Sequence, residues 1–469
     1  MERTIGFDTV AILGASIAGL LAASVLARHA REVVLIERDR IRDHPDVPRQ
    51  GAPQGHHAHA ILTSGQRAMD SLCPGLTDAL LARGAQFGGG SFFTAGGYLD
   101  APGSDASLFV SRALLEGELR RAVLALPGMR LLDGHRAQMP RIDAGRVVGL
   151  HAAAPGGGSV EIRADLVVDA TGRGSRVPAW LAASGYDAPP VERVEVGMRY
   201  ASRHLRRTPG ELGGRLFFSV SPSPAQRRAC GVLAQEGDRW IVTLIGYFGD
   251  QPPADDAGFR DFARSLPTPE VAELLKHAMP LDEIRTFAFP ANQRMRYEGI
   301  VRRPAGLLVI GDALASFSPV YGQGMSVAAL QAQALARCMA DGSHRLESRF
   351  FDAAARVIDT PWSITVGNDR QMPPGGPHGS LPQRLRHRWV QRVLRAAHHD
   401  PVVAAAFLRV ARLLAPPSSL LRPALAARVL RACPRPPISP VDAAPDAATR
   451  CSPPCPFQGG DPDCRNRRV

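Results

Sequence analysis

The sequence predicts an α/β fold in which a Rossmann-like, dinucleotide-binding domain carries an inserted antiparallel β-sheet domain and a C-terminal helical region. Three observations lead to this prediction. Apolar runs ending in glycine-rich turns occur at residues 10–19, 164–176 and 306–325, as is typical of parallel strands. Alternating apolar and polar segments lie between the second and third runs, together with an amphipathic pattern that predicts one helix over Phe259–His277. Helical periodicity dominates after residue 326.

The first glycine-rich element reads as strand, turn, helix and strand. Gly14 would make the tight turn, and Gly19 would let the helix pack closely on the strand. Glu37, at the end of the second strand, can accept a hydrogen bond from a ribose hydroxyl. The predicted elements are the strand Val10–Leu13, the helix Leu20–Arg28 and the strand Glu32–Ile36.

Ser16 stands where the dinucleotide fingerprint has its middle glycine. Serine is small enough for a pyrophosphate to approach, and its hydroxyl can donate a hydrogen bond. We therefore expect the whole turn to hold a pyrophosphate: Gly14, Ser16, Ile17, Ala18 and Gly19. Glu37 favours an adenosine with a free 2′-hydroxyl, hence FAD or NAD, whereas the neighbouring Arg38 and Arg40 keep NADP open.

A polar loop from Arg49 to His59 contains three histidines within four positions. A metal site is not expected, because no matching Cys, Asp or Glu set lies nearby and Arg49 would repel a cation. We instead predict a loop over the cofactor, with Arg49 and Gln54 facing it. A solvated loop is the alternative.

A helix is predicted to begin after Ser111, a suitable N-cap residue. Arg112 in its first turn is unfavourable for the helix dipole, which suggests a place beside an anion such as a pyrophosphate. An exposed arginine is the alternative.

The third glycine-rich element places Asp312 directly after an apolar strand. The carboxyl end of such a strand is where open α/β sheets bind ligands. Gly322 and Gly324 permit close backbone approach, and a helix starting near Met325 directs its positive end to the same place. An ordinary α/β core is the alternative.

The domain boundaries follow from these changes in pattern. We predict a cofactor domain in two parts, a β-sheet substrate domain between them, helices after them, and a Pro/Ala/Asp-rich disordered tail. In chain order these are residues 1–177, 178–297, 298–342, 343–433 and 434–469.

Composition narrows the function classes. The net charge of +12 comes from scattered arginine with a single lysine, Lys276, so nucleic-acid binding is not expected. Seven cysteines without a dense pattern favour free thiols and a cytoplasmic location, and the four at 433–464 lack the CxxC spacing of a zinc site. The uncharged run Thr9–Ala27 contains the turn glycines, so neither a signal peptide nor a stable membrane span is expected.

In order and spacing, the three elements resemble the FAD-dependent aromatic-hydroxylase-like monooxygenases. The loop from Arg49 to His59, the turn Asp169–Arg173 and the pair Pro361-Trp362 look most like the bacterial flavin epoxidases of polyether and polyene biosynthesis. This resemblance implies that residues 14–19 hold the pyrophosphate of FAD and that Arg112 contacts a phosphate or ribityl oxygen. It also assigns the ribityl chain to Asp312, and the flavin ring edge to Gly322, Gly324 and Met325.

The resemblance further implies that reduced FAD activates O2 and that one oxygen atom enters an electron-rich carbon of an apolar small molecule. Epoxidation of a polyene in secondary metabolism is preferred, and the catalytic residues are unknown. Thr171-Gly172 replaces the Asp-Gly motif of the hydroxylases, so electrons would come from NAD(P)H either directly or through a separate flavin reductase.

Rival functions remain within and outside this resemblance. Aromatic hydroxylation, and flavin-dependent reduction of isoprenoid double bonds, share the fold. A flavin-binding regulatory protein is the non-enzymatic alternative. Flavin halogenases use a lysine in the first domain and a Trp-x-Trp motif, and this chain has neither.

Overall fold

The computed structural model describes residues 6–41, 47–100, 106–372 and 380–432 of the chain. The predicted tail of residues 434–469 and the cysteines within it lie outside these ranges. The strands are β1 Phe7–Leu13, β2 Ala30–Glu37, β3 Gln86–Gly88, β4 Gly90–Thr94, β5 Gly97–Asp100, β6 Ser107–Phe109, β7 Met129–Asp133, β8 Arg136–Ala137, β9 Arg141–Asp143, β10 Arg146–Ala153, β11 Ser159–Arg163, β12 Leu166–Asp169, β13 Val191–Arg206, β14 Phe217–Val220, β15 Arg228–Gln235, β16 Arg239–Tyr247, β17 Arg285–Met295, β18 Leu307–Val309 and β19 Ala315–Ser316. The helices are α1 Ile17–Leu26, α2 Thr63–Leu72, α3 Leu76–Ala82, α4 Arg112–Leu124, α5 Val177–Ala183, α6 Asp256–Arg264, α7 Glu270–His277, α8 Gly324–Ala340, α9 Leu346–Asp369, α10 Leu381–Ala397, α11 Pro401–Ala411 and α12 Pro423–Arg431.

A five-stranded parallel sheet, in the order β18-β12-β1-β2-β7, forms the first layer. Its central strands are buried on both faces, which accounts for their continuous apolar sequence. Helix α1 packs on β1 and β2 and against α4 and α8. Because Leu13 pairs with Ile36 and Asp169, and Asp169 pairs with Val309, the strands end at one common edge.

The second layer is an eight-stranded sheet in the order β19-β17-β13-β16-β15-β14-β4-β5. Most of it comes from the predicted insertion, and its strands are antiparallel except for the pair β4 and β14. Strands β4 and β5 come from residues 90–100, ahead of the predicted insertion, and close the far end of the sheet. The mixed α/β architecture predicted from the sequence is confirmed.

One predicted helix in this region is wrong. The amphipathic pattern over Phe259–His277 suggested a continuous helix, but the chain forms α6 and α7 instead. Pro267 and Pro269 lie between them, and a proline inside a helix removes a backbone donor and clashes with the preceding turn.

The helices that follow α8 close the structure from the other side. Helix α10 packs on α11 and α12, and their buried face contacts Phe92 and Leu99 of the eight-stranded sheet. His398 adds a polar anchor, since its Nε2 lies 2.9 Å from the carbonyl oxygen of Thr94. Among the helices of the described ranges, none is both long and apolar enough to cross a membrane.

Candidate functional site

The turn after β1 has the backbone that the glycine pattern predicts. Gly14 adopts a φ of +96°, and its N–H donates to the carbonyl of Ile36 at 2.8 Å. A Cβ added at Gly19 would lie 1.9 Å from the carbonyl oxygen of Gly14, so only glycine permits this contact of helix and strand. The turn therefore holds the start of α1 at the carboxyl edge of the parallel sheet.

The first turn of α1 has no side-chain cap. Ser16 occupies the N-cap position, yet its hydroxyl donates to Glu116 Oε2 at 3.0 Å instead of accepting from the helix. Arg112 Nη2 donates to the same hydroxyl at 3.0 Å. The uncapped amides of a helix start and an adjacent guanidinium form a suitable site for a phosphate group.

Arg49 lies at the centre of a buried ionic network. Its Nε donates to Glu116 at 2.7 Å, and its Nη1 lies 3.0 Å from Asp39 and 3.1 Å from Glu37. Burial lowers the pKa of Arg49, but the carboxylates of Glu116 and Glu37 outweigh burial and raise it overall. For Glu116, burial raises the pKa, but the positive charges of Arg49 and Arg112 outweigh burial and lower the pKa overall, so the carboxylate is ionised. These charges fix the predicted loop on the edge of the sheet.

Glu37 fixes the turn as well as the loop. Its Oε2 accepts from the N–H of Ala15 at 2.9 Å, and its Oε1 accepts from the N–H of Asp39 at 3.1 Å. The carboxylate is 4% exposed and borders the cavity described below. It therefore lies at the sheet edge, between the turn and the cavity.

Asp312 lies between two glycines of separate elements. A Cβ added to Gly172 would lie 4.0 Å from the Cβ of Asp312, and one added to Gly324 would lie 3.8 Å from Oδ1 of Asp312. Gly311 has a φ of +72°, and a Cβ added to it would lie only 2.6 Å from the Cβ of Ala18. Burial raises the pKa of the Asp312 carboxyl, and Arg112 and Arg173 oppose that rise. The carboxyl is nevertheless open to the cavity, which makes it a free acceptor.

One cavity of about 2030 Å³ connects these elements. Gly19 is a packing residue behind the turn, and the other residues predicted from the sequence line the cavity: Gly14, Ser16, Ile17, Ala18, Glu37, Arg38, Arg49, Gln54, Arg112, Asp312, Gly322, Gly324 and Met325. The structure thus brings together side chains from four distant segments of the sequence.

The cavity continues past this edge, between the eight-stranded sheet and the C-terminal helices. We call this part the distal chamber. Its walls are mainly apolar and aromatic, and they include Phe92, Phe109, Phe217, Trp389, Leu394 and Phe407. Phe217 meets the ring of Phe92 edge-on, with centroids 4.9 Å apart, and lies nearly parallel to the ring of Phe109, with centroids 6.2 Å apart.

Two histidines of the polar loop lie where the two parts of the cavity meet. His57 is 4% exposed, and its Nδ1 lies 2.7 Å from Ser202 Oγ, which in turn lies 2.6 Å from Thr243 Oγ1. His59 Nδ1 donates to the His57 carbonyl at 2.9 Å. Burial, followed by neighbouring positive groups, lowers the pKa of both rings to about 3, so both are neutral near pH 7. No group of three or more metal-binding side chains occurs among the described residues.

Two residues in and behind the cavity were not predicted from the sequence. Glu116 lies behind the cavity wall and binds Arg49, and its place on the charged helix α4 gave no signal. Arg173 lies 4.6 Å over the ring of Phe289, and burial lowers its pKa. The turn Asp169–Arg173 did mark this segment, but not which of its side chains enters the cavity.

The cradle formed by the α1 turn, Arg112 and Asp312 fits a dinucleotide cofactor. The Nε atom of Arg112 is buried and makes no hydrogen bond within the described residues, and the Arg112 side chain lines the same cavity as the uncapped start of α1. A buried, unpaired guanidinium donor is costly, and a phosphate oxygen would relieve that cost.

Comparisons with known proteins agree with this fit. A family model described as "FAD binding domain" matches residues 8–344. Protein Rv3254 of Mycobacterium tuberculosis is 32% identical over 428 residues, which cover 86% of this chain and 89% of that protein. The 6-methylpretetramide 4-monooxygenase of Streptomyces rimosus is 26% identical over 368 residues, covering 74% and 79% of the two chains.

Solved structures share the fold at lower identity. A flavoprotein/dehydrogenase from Cytophaga hutchinsonii superposes with a TM-score of 0.64 at 18% identity, covering 87% of this chain and 92% of that one. The p-nitrophenol 4-monooxygenase PnpA from Pseudomonas putida gives a TM-score of 0.60 at 19% identity, with coverages of 87% and 97%.

Proposed function

Because the chain belongs to the FAD binding domain family of FAD-dependent aromatic hydroxylases and related monooxygenases, we propose that it epoxidises a large apolar polyene. FAD dependence and the use of O2 on a small molecule follow from the family. The observation that carries the finer proposal is the distal chamber, whose aromatic walls continue from the cofactor cradle.

The size of the cavity supports a large substrate. Pockets for single small molecules usually enclose roughly 300–1,000 Å³. A cavity of about 2030 Å³ therefore holds a cofactor and leaves room for a second large molecule. The chamber walls offer aromatic rings such as Phe92, Phe217 and Phe407, which suit an extended apolar chain.

The cradle residues have distinct roles in this proposal. The amides of residues 16–19 and the guanidinium of Arg112 would bind the pyrophosphate, and Glu37 would bind the adenosine ribose. Asp312 would accept from the ribityl hydroxyls, and Gly322 and Gly324 would let the ring edge approach the backbone. Gln54 and Arg38 would lie along the adenosine side.

The bound and reduced flavin supplies the O2 chemistry, so the protein needs no nucleophilic side chain. The chain's own contribution is orientation and the exclusion of water. The apolar wall around Phe217 and Trp389 keeps water from the reacting carbon. The neutral rings of His57 and His59 add no charge at the meeting point of the two parts. Electrons come from NAD(P)H, directly or through a flavin reductase.

Oxygen labelling tests the proposed reaction. The FAD-loaded enzyme would be given ¹⁸O₂ and either NADPH alone or NADPH with a flavin reductase, together with a conjugated triene. We expect one ¹⁸O in the product, loss of one double bond from the ultraviolet spectrum, and no new exchangeable hydrogen in D₂O. Unaltered triene under both electron sources, with FAD fully bound, would contradict epoxidation.

Aromatic hydroxylation is the second candidate. It is favoured by the similarity to the 6-methylpretetramide 4-monooxygenase over most of both chains. A polycyclic phenol in the same assay would then gain one ¹⁸O and one exchangeable hydrogen. Oxygen-independent saturation of a double bond would instead indicate a reductase, and bound flavin without turnover would indicate a regulatory protein.

A further inference from the structure

Helix α9 carries two buried polar side chains on the face that meets the glycine-rich turn. Thr365 and Asp369 are four residues apart, so they lie on one side of the helix, and each is 0% exposed. Burying a hydroxyl and a carboxyl is costly unless both find partners. Their partners are therefore informative about what this end of the helix does.

Both side chains bond to the turn of residues 318–324. Thr365 Oγ1 donates to Gln323 Oε1 at 2.9 Å, and Tyr321 donates its hydroxyl to Asp369 Oδ1 at 3.1 Å. Gln323 is itself 2% exposed, so its bond to Thr365 is shielded from water. Asp369 thus binds Tyr321 of the turn, and Thr365 binds Gln323, two positions further along the chain.

Asn292 of strand β17 completes the attachment from the other side. Its Nδ2 donates to Asp369 Oδ2 at 2.7 Å, and its Oδ1 accepts from the N–H of Ser318 at 2.6 Å. Asn292 is 0% exposed. The turn is consequently held at Ser318, at Tyr321 and at residue 323, by two elements that belong to different parts of the chain.

The turn needs such support because its backbone is irregular. Residues Pro319–Tyr321 form one turn of 3-10 helix, and Gly322 then adopts a φ of +61°. Helix α8 starts at Gly324 without a side-chain cap. Gly324 lines the cavity beside Asp312, where the proposed function places the flavin ring.

We propose that Thr365 and Asp369 are positioning residues, which hold the turn of residues 318–324 in the shape that receives the flavin ring. The proposal rests on the proposed function for the place of that ring. It does not depend on which substrate is oxygenated. Neither residue needs to touch the cofactor, because each acts through a residue of the turn.

Hydrogen–deuterium exchange and FAD binding test this together. The variants are Asp369→Leu and Thr365→Val, with Asp369→Asn as the conservative change that retains a donor and an acceptor. Asp352→Leu and Thr360→Val are matched controls on the same helix, where Asp352 is exposed and Thr360 half-buried. Exchange would be followed in apoprotein and FAD-loaded protein, and affinity by titration of apoprotein with FAD.

We expect amides 318–324 to exchange about tenfold faster in Asp369→Leu and Thr365→Val, while amides 10–20 are unchanged. FAD affinity should fall about tenfold, as for loss of one buried hydrogen-bond partner, and the visible spectrum of bound FAD should shift. Asp369→Asn should restore most of the protection, and both controls should match the wild type.

Two results would overturn the proposal. Unchanged exchange in Thr365→Val, even if Asp369→Leu does not fold, would show that these bonds do not hold the turn. Faster exchange with unaltered FAD affinity and spectrum would show that the turn does not receive the flavin. Neither result involves oxygenation of a substrate, so a failure of the epoxidation proposal would be seen separately.

Discussion

The two parts of the cavity are built in opposite ways. The cofactor cradle depends on glycine backbones and buried ion pairs, such as that of Arg49 with Glu116 at 2.7 Å. The distal chamber depends on aromatic packing between a sheet edge and separate helices. Backbone shape and ion pairs tolerate few substitutions, whereas apolar walls tolerate many changes of similar volume. One fold can therefore keep its cofactor while its substrate changes.

The largest expected effect concerns the glycine contact in the cradle. Gly19→Ala would place a methyl group 1.9 Å from the Gly14 carbonyl, so the turn must move. We expect a loss of roughly 3 kcal/mol in unfolding free energy and no measurable FAD retention. Gly299→Ala is the control, because its methyl group would meet no atom within 4 Å. Equal thermal stability of the two variants would contradict the steric argument.

A smaller effect is expected at Arg112. Arg112→Gln removes the charged donor of the cradle, and hydrogen bonds to charged groups contribute roughly 1.5–3 kcal/mol. FAD affinity measured by fluorescence titration should fall between tenfold and a hundredfold. Arg31→Gln, in an ion pair whose two side chains are 72% and 79% exposed, is the matched control. Full FAD affinity in Arg112→Gln would remove this residue from the cofactor site.

The distal chamber should respond differently. Trp389→Leu replaces a large aromatic side chain of the chamber wall with a smaller one and leaves the residues of the cradle unchanged. FAD affinity should therefore stay unchanged, while KM for the apolar substrate rises about tenfold because less apolar surface is buried. Leu430→Ala, at a side chain 56% exposed on α12, is the control. Steady-state kinetics beside FAD titration would check the separation. Weaker FAD binding in Trp389→Leu would mean that the two parts are not independent.

The smallest effect expected is a pH dependence at Asp369, which bonds to Tyr321 in the turn beside the cradle. Burial raises the pKa of this carboxyl to about 7, against the opposing bonds from Asn292 and Tyr321. The protonated acid favours the folded state, so its stabilisation is present at low pH and lost as pH rises through 7. Between pH 6 and 8 this loss should be about 1 kcal/mol.

Denaturant unfolding of the wild type and Asp369→Asn at pH 6, 7 and 8 would measure this slope. Subtracting the unfolding free energy of one protein from that of the other removes the contribution of other groups that titrate in the same pH range. The slope should be absent from Asp369→Asn. Parallel pH profiles would show that Asp369 keeps an ordinary pKa.

Local rules made the cradle predictable from the sequence. The steric demand at Gly19 and the N-cap at Ser111, whose Oγ accepts from Leu114 at 3.1 Å, depend on neighbouring residues. The acids at strand ends were predictable because parallel strands finish at one edge. That the cradle residues hold FAD stays a prediction.

Partners distant in the sequence could not be predicted in this way. Tyr321 and Asp369 are 48 residues apart, and nothing in either local pattern indicates the other. The same holds for the parallel pairing of β4 with β14, which requires knowledge of how the insertion folds back. The division of Phe259–His277 differs, because Pro267 and Pro269 mark the break within the local sequence itself.

The strand order of the parallel sheet has a consequence for synthesis of the chain. Strand β18, which Asp312 follows by three residues, pairs with β12, although the inserted strands β13–β17 are translated between them. The cofactor cradle therefore lacks its last wall until more than 300 residues have left the ribosome. Pairing over such separations is slow, and the unpaired edge of β12 is exposed to aggregation meanwhile. Nascent chains halted before β18 should thus depend on chaperones and gain no protection from added FAD.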